Sequence, residues 1–179
     1  MAVFRPLDDL EAAGKRVLVR VDLNVPMAGD EISDLTRIDR IAPTLIELAE
    51  AGAKVVILSH FGRPKGEALA AMSLAPLAEP LSRALGGRPV AFAGDCIGEV
   101  AEQAVAGLDG GDILLLENLR FHAGEEKNHG DFADALARLG NAYVNDAFSA
   151  AHRAHGSVVG IAERLPAYAG RLMVAELHA

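Results

Sequence analysis

The sequence predicts an α/β fold of three layers, α/β/α, with helices covering both faces of a parallel sheet of about six strands. Two patterns predict it. Short apolar runs alternate with longer segments of helical period along the chain, the order that parallel strands and crossover helices impose. The run 54–58, KVVIL, has no polar alternation, as a strand buried on both faces requires. No repeat, low-complexity tract or linker divides the 179 residues, so one domain is expected.

Each element has its own local reason. Residues 16–21, RVLVRV, are rich in β-branched side chains and read as the first strand. Over 37–51, Ile38, Ile41, Leu45 and Leu48 recur at three- and four-residue spacing, giving an amphipathic helix stopped by Gly52. Ser33 or Asp34 is its expected N-cap. After the second strand at 54–58, a helix over 75–85 stops at Gly86-Gly87. Residues 89–92 make a third strand, followed by a helix over 97–106. Residues 112–116, DILLL, are the fourth strand. A helix over 131–139 is closed by Gly140, and 142–144 opens a fifth strand. Residues 158–161 read as a short sixth, and a last helix begins over 170–179. The outline is Rossmann-like.

Composition narrows the function. At 51% hydrophobic and 23% charged, the chain can bury a sizeable core. A formal charge of −8 argues against a general polyanion binder but leaves room for a local basic pocket. No apolar run reaches the roughly 18 residues of a membrane span. The opening MAVFRPLDDL lacks the basic-then-apolar order of a signal peptide. Cys96 stands alone, so an internal disulfide is impossible, and a cytoplasmic setting fits. Of the 17 basic residues, 13 are arginine. A genome rich in G and C gives the same bias, so position must decide what they do.

In such a sheet, ligands bind beyond the carboxyl ends of the strands. The segments that leave those ends are therefore the test. Asp22-Leu23-Asn24-Val25-Pro26 leaves the first strand, and Ser59-His60-Phe61-Gly62-Arg63-Pro64 the second. Glu117-Asn118-Leu119-Arg120-Phe121-His122 leaves the fourth. After the fifth come Asn145-Asp146-Ala147-Phe148 and then His152-Arg153-Ala154-His155. Taken singly, each arginine reads as a solvated strand-end residue. Taken together, four loops bring Arg, His, Asn and Asp to one edge of the sheet.

Arg37 adds a separate clue. A cation in the first turn of a helix opposes the helix dipole, at a cost of about 0.3–1 kcal/mol. Beside an anion site that placement has a purpose; a chance surface arginine is the competing account. Arginine forks match phosphate and carboxylate oxygens, while Asp22 and Asn24 suit a hydroxyl. The expected ligand is a phosphorylated hydroxy-acid or sugar.

Other motifs give less. His152 and His155 have a metal-binding spacing, but Arg153 between them repels a cation, so no metal is expected. Ser59 and His60 are neighbours without a nucleophile elbow. Cys96 reads as a buried, inert thiol. Asp22 after an apolar strand matches the nucleophile of haloacid-dehalogenase-like phosphatases, yet Asn24 stands where that family needs a second acid. Neither a P-loop nor a Gly-x-Gly-x-x-Gly turn comes after a strand, so no nucleotide cofactor is expected on this chain.

Taken in order, the segments Arg20 to Pro26, Ser59 to Gly66, Leu116 to Phe121 and Asn145 to His155 resemble the motifs of phosphoglycerate kinase. Ser73-Leu74-Ala75-Pro76 and Asp95-Cys96-Ile97-Gly98 extend the resemblance over essentially the whole chain. It implies a two-domain hinge enzyme of glycolysis, usually monomeric, that moves a phosphoryl group between 1,3-bisphosphoglycerate and ADP, with Mg-ATP and 3-phosphoglycerate on the other side. Carried over, Asp22, Leu23 and Asn24 match the substrate loop. Arg37, His60, Phe61, Gly62, Arg63, Arg120 and Arg153 match the positions around its carboxylate and phosphate. Arg37 also matches the arginine that stabilises charge in flight, and Arg20, His152 and His155 match the rim of the patch. Leu35 and Arg171 depart from the family's usual polar and apolar residues.

The resemblance further implies that 1–170 is the 3-phosphoglycerate-binding amino-terminal domain and 171–179 the start of the interdomain helix. The family's Gly-Gly-Ala-Lys-Val segment and nucleotide-binding carboxy-terminal domain are not in this sequence. The expectation is a chain that binds 3-phosphoglycerate but does not catalyse alone. A non-catalytic anion-binding or folding module on the same scaffold is the alternative.

Overall fold

Strands form where apolar and β-branched side chains cluster, and they pair side by side. The computed structural model describes residues 5–179. Residues 1–4, part of the expected domain 1–170 and of the start read for a signal peptide, lie outside them. The strands are β1 (Arg5–Pro6), β2 (Arg16–Arg20), β3 (Met27–Ala28), β4 (Glu31–Ile32), β5 (Lys54–Leu58), β6 (Val90–Ala93), β7 (Ile113–Leu116), β8 (Ala142–Asn145) and β9 (Ala167–Ala169). The helices are α1 (Thr36–Glu50), α2 (Ala78–Ala84), α3 (Gly98–Ala106), α4 (Ala123–Glu126), α5 (Gly130–Ala137) and α6 (Arg171–Leu177). Among the described residues, seven strands make one sheet in the order β1-β9-β8-β2-β5-β7-β6. Each neighbouring pair is parallel. β3 and β4 form a separate antiparallel hairpin.

The uninterrupted apolar runs are explained by two cores. Val17, Val19, Val55, Ile57, Ile113, Leu115 and Val144 pack on one face with Ile38, Leu45 and Leu48 of α1 and Leu81 of α2. The alternate residues Leu18, Val56, Leu58, Leu114, Leu116 and Tyr143 pack on the other with Val105 of α3 and Phe132 and Leu136 of α5. Apart from Arg16 and Lys54 at their starts, the residues of the central strands β2, β5, β7 and β8 are therefore buried from both faces, at about 1.5–3 kcal/mol for each large apolar side chain. Three layers result.

Three local expectations are corrected. Residues 158–161 are not a strand: Gly156–Gly160 is a π-helical turn. Its backbone bonds run to His155 O and the Ser157 N–H to Glu125, and close packing overrides the β preference of its valines. A Cβ on Gly156 would sit 2.9 Å from the Phe132 ring, and one on Gly160 2.8 Å from Ala133 Cβ. Beyond β8 the sheet is instead completed by β9 and then β1, too short to stand out as apolar runs. At the start of α1, Leu35 holds the N-cap position without a side-chain bond. Asp34, one residue earlier, accepts the Thr36 N–H at 2.8 Å and the Thr36 hydroxyl at 2.6 Å.

The sheet order positions the loops. β8, β2, β5 and β7 are consecutive neighbours, so the segments leaving their carboxyl ends emerge side by side.

Candidate functional site

A cleft of about 260 Å³ lies at those carboxyl ends, lined by Asp22, Asn24, Arg37, His60, Gly62, Arg63, Arg120, Ser149, Ala150 and Arg153. Four guanidinium-bearing residues thus meet one carboxylate in a chain whose formal charge is −8. Chemistry, not size, distinguishes this cleft. A larger one of about 540 Å³ lies near the amino ends of β6 and β7, where Arg88 and Asp112 are its charged residues.

The loops are fastened to each other before any ligand arrives. The Ser59 hydroxyl donates to Val21 O at 2.9 Å and accepts the Leu23 N–H at 2.9 Å. Asn24 Oδ1 accepts the Gly62 N–H at 2.9 Å, and Asp22 Oδ1 accepts the Asn24 N–H at 2.9 Å. Gly62 takes φ +64°, a left-handed conformation that glycine adopts without strain. Asn118 caps its own 3-10 turn by accepting the Arg120 N–H at 3.0 Å, and its amide donates to Phe61 O at 2.7 Å.

The arginines differ in how they are held. Arg120 is 7% exposed; one amino group donates to Gly62 O at 3.2 Å, while its buried Nε–H has no acceptor among the described residues. Burial, then the charges of Arg20 and Arg153, lower its pKa against the opposing pull of Glu126. Arg37, the second residue of α1, donates to Asn24 O and lies 3.4 Å from Asp22 Oδ1. It lines a neighbouring cleft of about 280 Å³ as well, together with Asp22, Arg40, Asp146 and Ser149. Arg63 and Arg153 are exposed.

His60 behaves differently from a basic-patch member. Arg20 Nη2 meets its Nδ1 at 2.8 Å. A guanidinium only donates, so Nδ1 accepts, and the ring is neutral with its proton on Nε2. Burial first, then Arg20, Arg120, His155 and Arg153, push the His60 pKa down to about 2. It offers a hydrogen bond, not a charge.

Several expected site residues lie off the cleft. Leu23 is fully buried and contributes its backbone to the Ser59 link. Phe61 is half-buried against the first core. Arg20, expected at the rim, is fully buried underneath the cleft. Its side chain serves the β2 strand end and His60, because position 20 alternates onto the side of the second core. His155 is buried with its Nδ1 unpartnered, and His152 is exposed; neither lines the cleft. Sequence reasoning missed Ser149, whose hydroxyl donates to Asp22 Oδ2 at 2.6 Å. A serine inside a small-residue stretch gives no local signal.

Among the described residues, Asp95, Cys96 and His122 bring potential metal-ligand atoms within 4.8 Å of one another, a grouping that sequence spacing does not suggest. Asp95 Oδ1 and His122 Nε2 are hydrogen-bonded at 2.7 Å. The Cys96 thiol is buried, and its pKa is raised first by that burial and then by Asp95 and Glu125. No helix among the described residues is long and apolar enough to cross a membrane.

Comparison with known proteins is consistent along the whole length. The family description "Phosphoglycerate kinase" matches residues 7–179. A phosphoglycerate kinase of Methylobacterium radiotolerans is 63% identical over 180 residues, covering 100% of this chain and 45% of that protein. One of Rhizobium meliloti is 62% identical over 177 residues, covering 98% and 44%. Among solved structures, phosphoglycerate kinase from Coxiella burnetii superposes with a TM-score of 0.87 at 38% identity, covering 99% of this chain and 44% of that one. The enzyme from Pyrococcus horikoshii gives 0.88 at 37% identity, covering 98% and 44%. The chain therefore spans a little under half the length of the relatives it matches.

Proposed function

Because the chain belongs to the phosphoglycerate kinase family, we propose that it is the substrate-binding half of such an enzyme and holds 3-phosphoglycerate, or 1,3-bisphosphoglycerate, in the arginine-lined cleft. One observation carries this reading: Arg37, Arg63, Arg120 and Arg153 converge on a cleft shared with Asp22, Asn24 and His60, in an acidic chain. A three-carbon phospho-acid presents two anionic ends and one hydroxyl, which matches that lining. Arg63, Arg120 and Arg153 would hold the anionic groups, with His60 Nε2–H as a neutral donor. Asp22 and Asn24 would read the hydroxyl.

Arg37 has a second task in this reading. Phosphoryl transfer spreads negative charge over the oxygens of the group in flight, and catalysis rests on positioning and charge stabilisation. Arg37 borders both the substrate cleft and the adjoining one, so it is the residue assigned to that charge. The Mg-nucleotide partner substrate is assigned to the part of the family's length that this chain does not span. The cleft's own carboxylate, Asp22, is already engaged by Ser149, Asn24 and Arg37, which does not favour a cation there. The isolated chain should therefore bind substrate without turning it over.

Titration of the chain with 3-phosphoglycerate, followed by amide chemical shifts, tests the proposal. Shifts should concentrate at 22–24, 60–63, 120 and 149–153. Arg63→Ala should weaken binding while leaving the fold intact. Equal affinity in Arg63→Ala and Arg120→Ala and the unaltered chain would defeat the reading. ATP-dependent turnover by the purified chain would defeat the claim that it is inactive alone.

A further inference from the structure

A line of buried polar groups runs underneath the cleft. It starts at Glu125 of α4, which is fully buried. Glu125 Oε1 accepts the Ser157 N–H at 2.7 Å, and Oε2 accepts the Ser157 hydroxyl. The same hydroxyl oxygen accepts the Arg20 Nε–H at 3.0 Å. Arg20 then donates through one amino group to Val21 O and through the other to His60 Nδ1, 2.8 Å away. Four side chains from four segments of the chain thus connect a carboxylate to an imidazole on the cleft wall.

The donors and acceptors leave one arrangement. A guanidinium has five N–H donors and no acceptor. The Ser157 hydroxyl has one proton, and giving it to Glu125 leaves the oxygen free to accept from Arg20. His60 Nδ1 must accept, so the ring proton sits on Nε2. Both Arg20 and Ser157 are without solvent exposure, so a broken link would leave a buried donor unpartnered. Unmade bonds of that kind are expensive.

We propose that Glu125 and Ser157 are positioning residues for the cleft, which act through Arg20 to hold His60 as the neutral Nε2–H tautomer. His60 then donates one oriented hydrogen bond to the ligand and adds no charge of its own. Arg20, Arg120, His155 and Arg153 face the ring, and all of them oppose its protonation. Without the fixed Arg20 donor, the ring has two neutral tautomers to choose from, and one of them turns an acceptor toward an anion. The identity of that anion rests on the phosphoglycerate reading; the tautomer does not.

Long-range nitrogen–proton NMR of the histidine rings in the full chain tests this. In the unaltered chain His60 should show an unprotonated Nδ1 and a protonated Nε2 throughout about pH 5–8. The Arg20 Nε–H should exchange slowly with water. Ser157→Ala and Glu125→Gln, with a dispersed amide spectrum retained, should show mixed His60 tautomers and bind 3-phosphoglycerate about tenfold more weakly. A purely structural role would lower stability and leave the tautomer alone, so folded variants with an unchanged tautomer overturn the proposal. An imidazolium, an Nδ1–H ring or a fast-exchanging Arg20 Nε–H in the unaltered chain overturns it too, whether or not the variants fold. A fixed tautomer that shifts in the variants, with no response to 3-phosphoglycerate, upholds the relay and removes the phospho-acid reading instead.

Discussion

Asn24 Oδ1 accepts the backbone N–H of Gly62 at 2.9 Å, tying the loop after β2 to the loop after β5 on the cleft floor. Asn24→Ala removes that tie at a cost of about 1 kcal/mol, readable by urea unfolding. Asn24→Asp keeps an acceptor for Gly62 but adds a negative charge beside an anion site. Its affinity for 3-phosphoglycerate should fall by more than its stability does. Equal losses in the two variants would argue that position 24 is only a fastener.

The neutrality of His60 predicts a pH effect. The folded ring protonates only near 2, while an unfolded histidine does so near 6.5. Between these values the unfolded chain holds more protons, so stability falls as pH drops from 6.5 toward 2. One imidazole contributes up to about 1.4 kcal/mol per pH unit. Denaturant titrations of His60→Asn should show a shallower loss between about pH 6 and 5 than the unaltered chain. Some slope should remain, because burial also lowers the His155 pKa.

Arg171 opens α6 and forks onto two elements. Its terminal nitrogens meet both Asp8 oxygens at 2.6 and 3.2 Å, and its Nε donates to Glu47 of α1 at 3.1 Å. Those bonds raise its pKa. Arg171→Met keeps a long side chain at the start of α6 and cuts the fork. Amide hydrogen exchange should speed up along 171–177 and remain unchanged in β2 and β5. Uniform acceleration would mean the fork stabilises the whole fold rather than the end of α6.

Gly140 sits where the chain turns from α5 into β8, and a Cβ there would fall 2.6 Å from Leu18 Cγ and 3.1 Å from Arg16 O. Neither neighbour is the far end of a flexible side chain. Gly140→Ala should cost about 1–3 kcal/mol by overpacking, measured as a lower urea midpoint. A change within experimental scatter would show that β2 yields there.

Cys96 is fully buried, and its thiol pKa is pushed well up by that burial and by Asp95 and Glu125. The thiolate is the reactive form. A maleimide reagent should leave the native chain unlabelled at neutral pH and label it once in urea. Rapid labelling of the folded chain would contradict the packing described.

Much of this molecule is written locally. The strands at 54–58 and 112–116 are legible because their apolar runs exceed what a half-exposed strand needs, and the helix of Leu45 and Leu48 because its period is unmistakable. The four polar loops come from strand order, since a parallel sheet delivers all its carboxyl ends to one edge. The 158–161 segment misleads because its valines favour extended backbone in isolation, whereas contact with Phe132 and the carboxylate of Glu125 decides the matter in place. Strands as short as β1 and β9 have too few residues to declare a period.

What the amino-acid order settled was the layer architecture and the set of cations gathered at one edge, because both depend on spacing along the chain. Only the folded arrangement decided which of those groups carry charge into the cleft. Arg20 turned inward, and burial first, then that guanidinium from a neighbouring strand, keep the His60 ring without a second proton. Proton placement depends on partners that are 40 residues apart in sequence and 2.8 Å apart in space, and no local pattern records that distance.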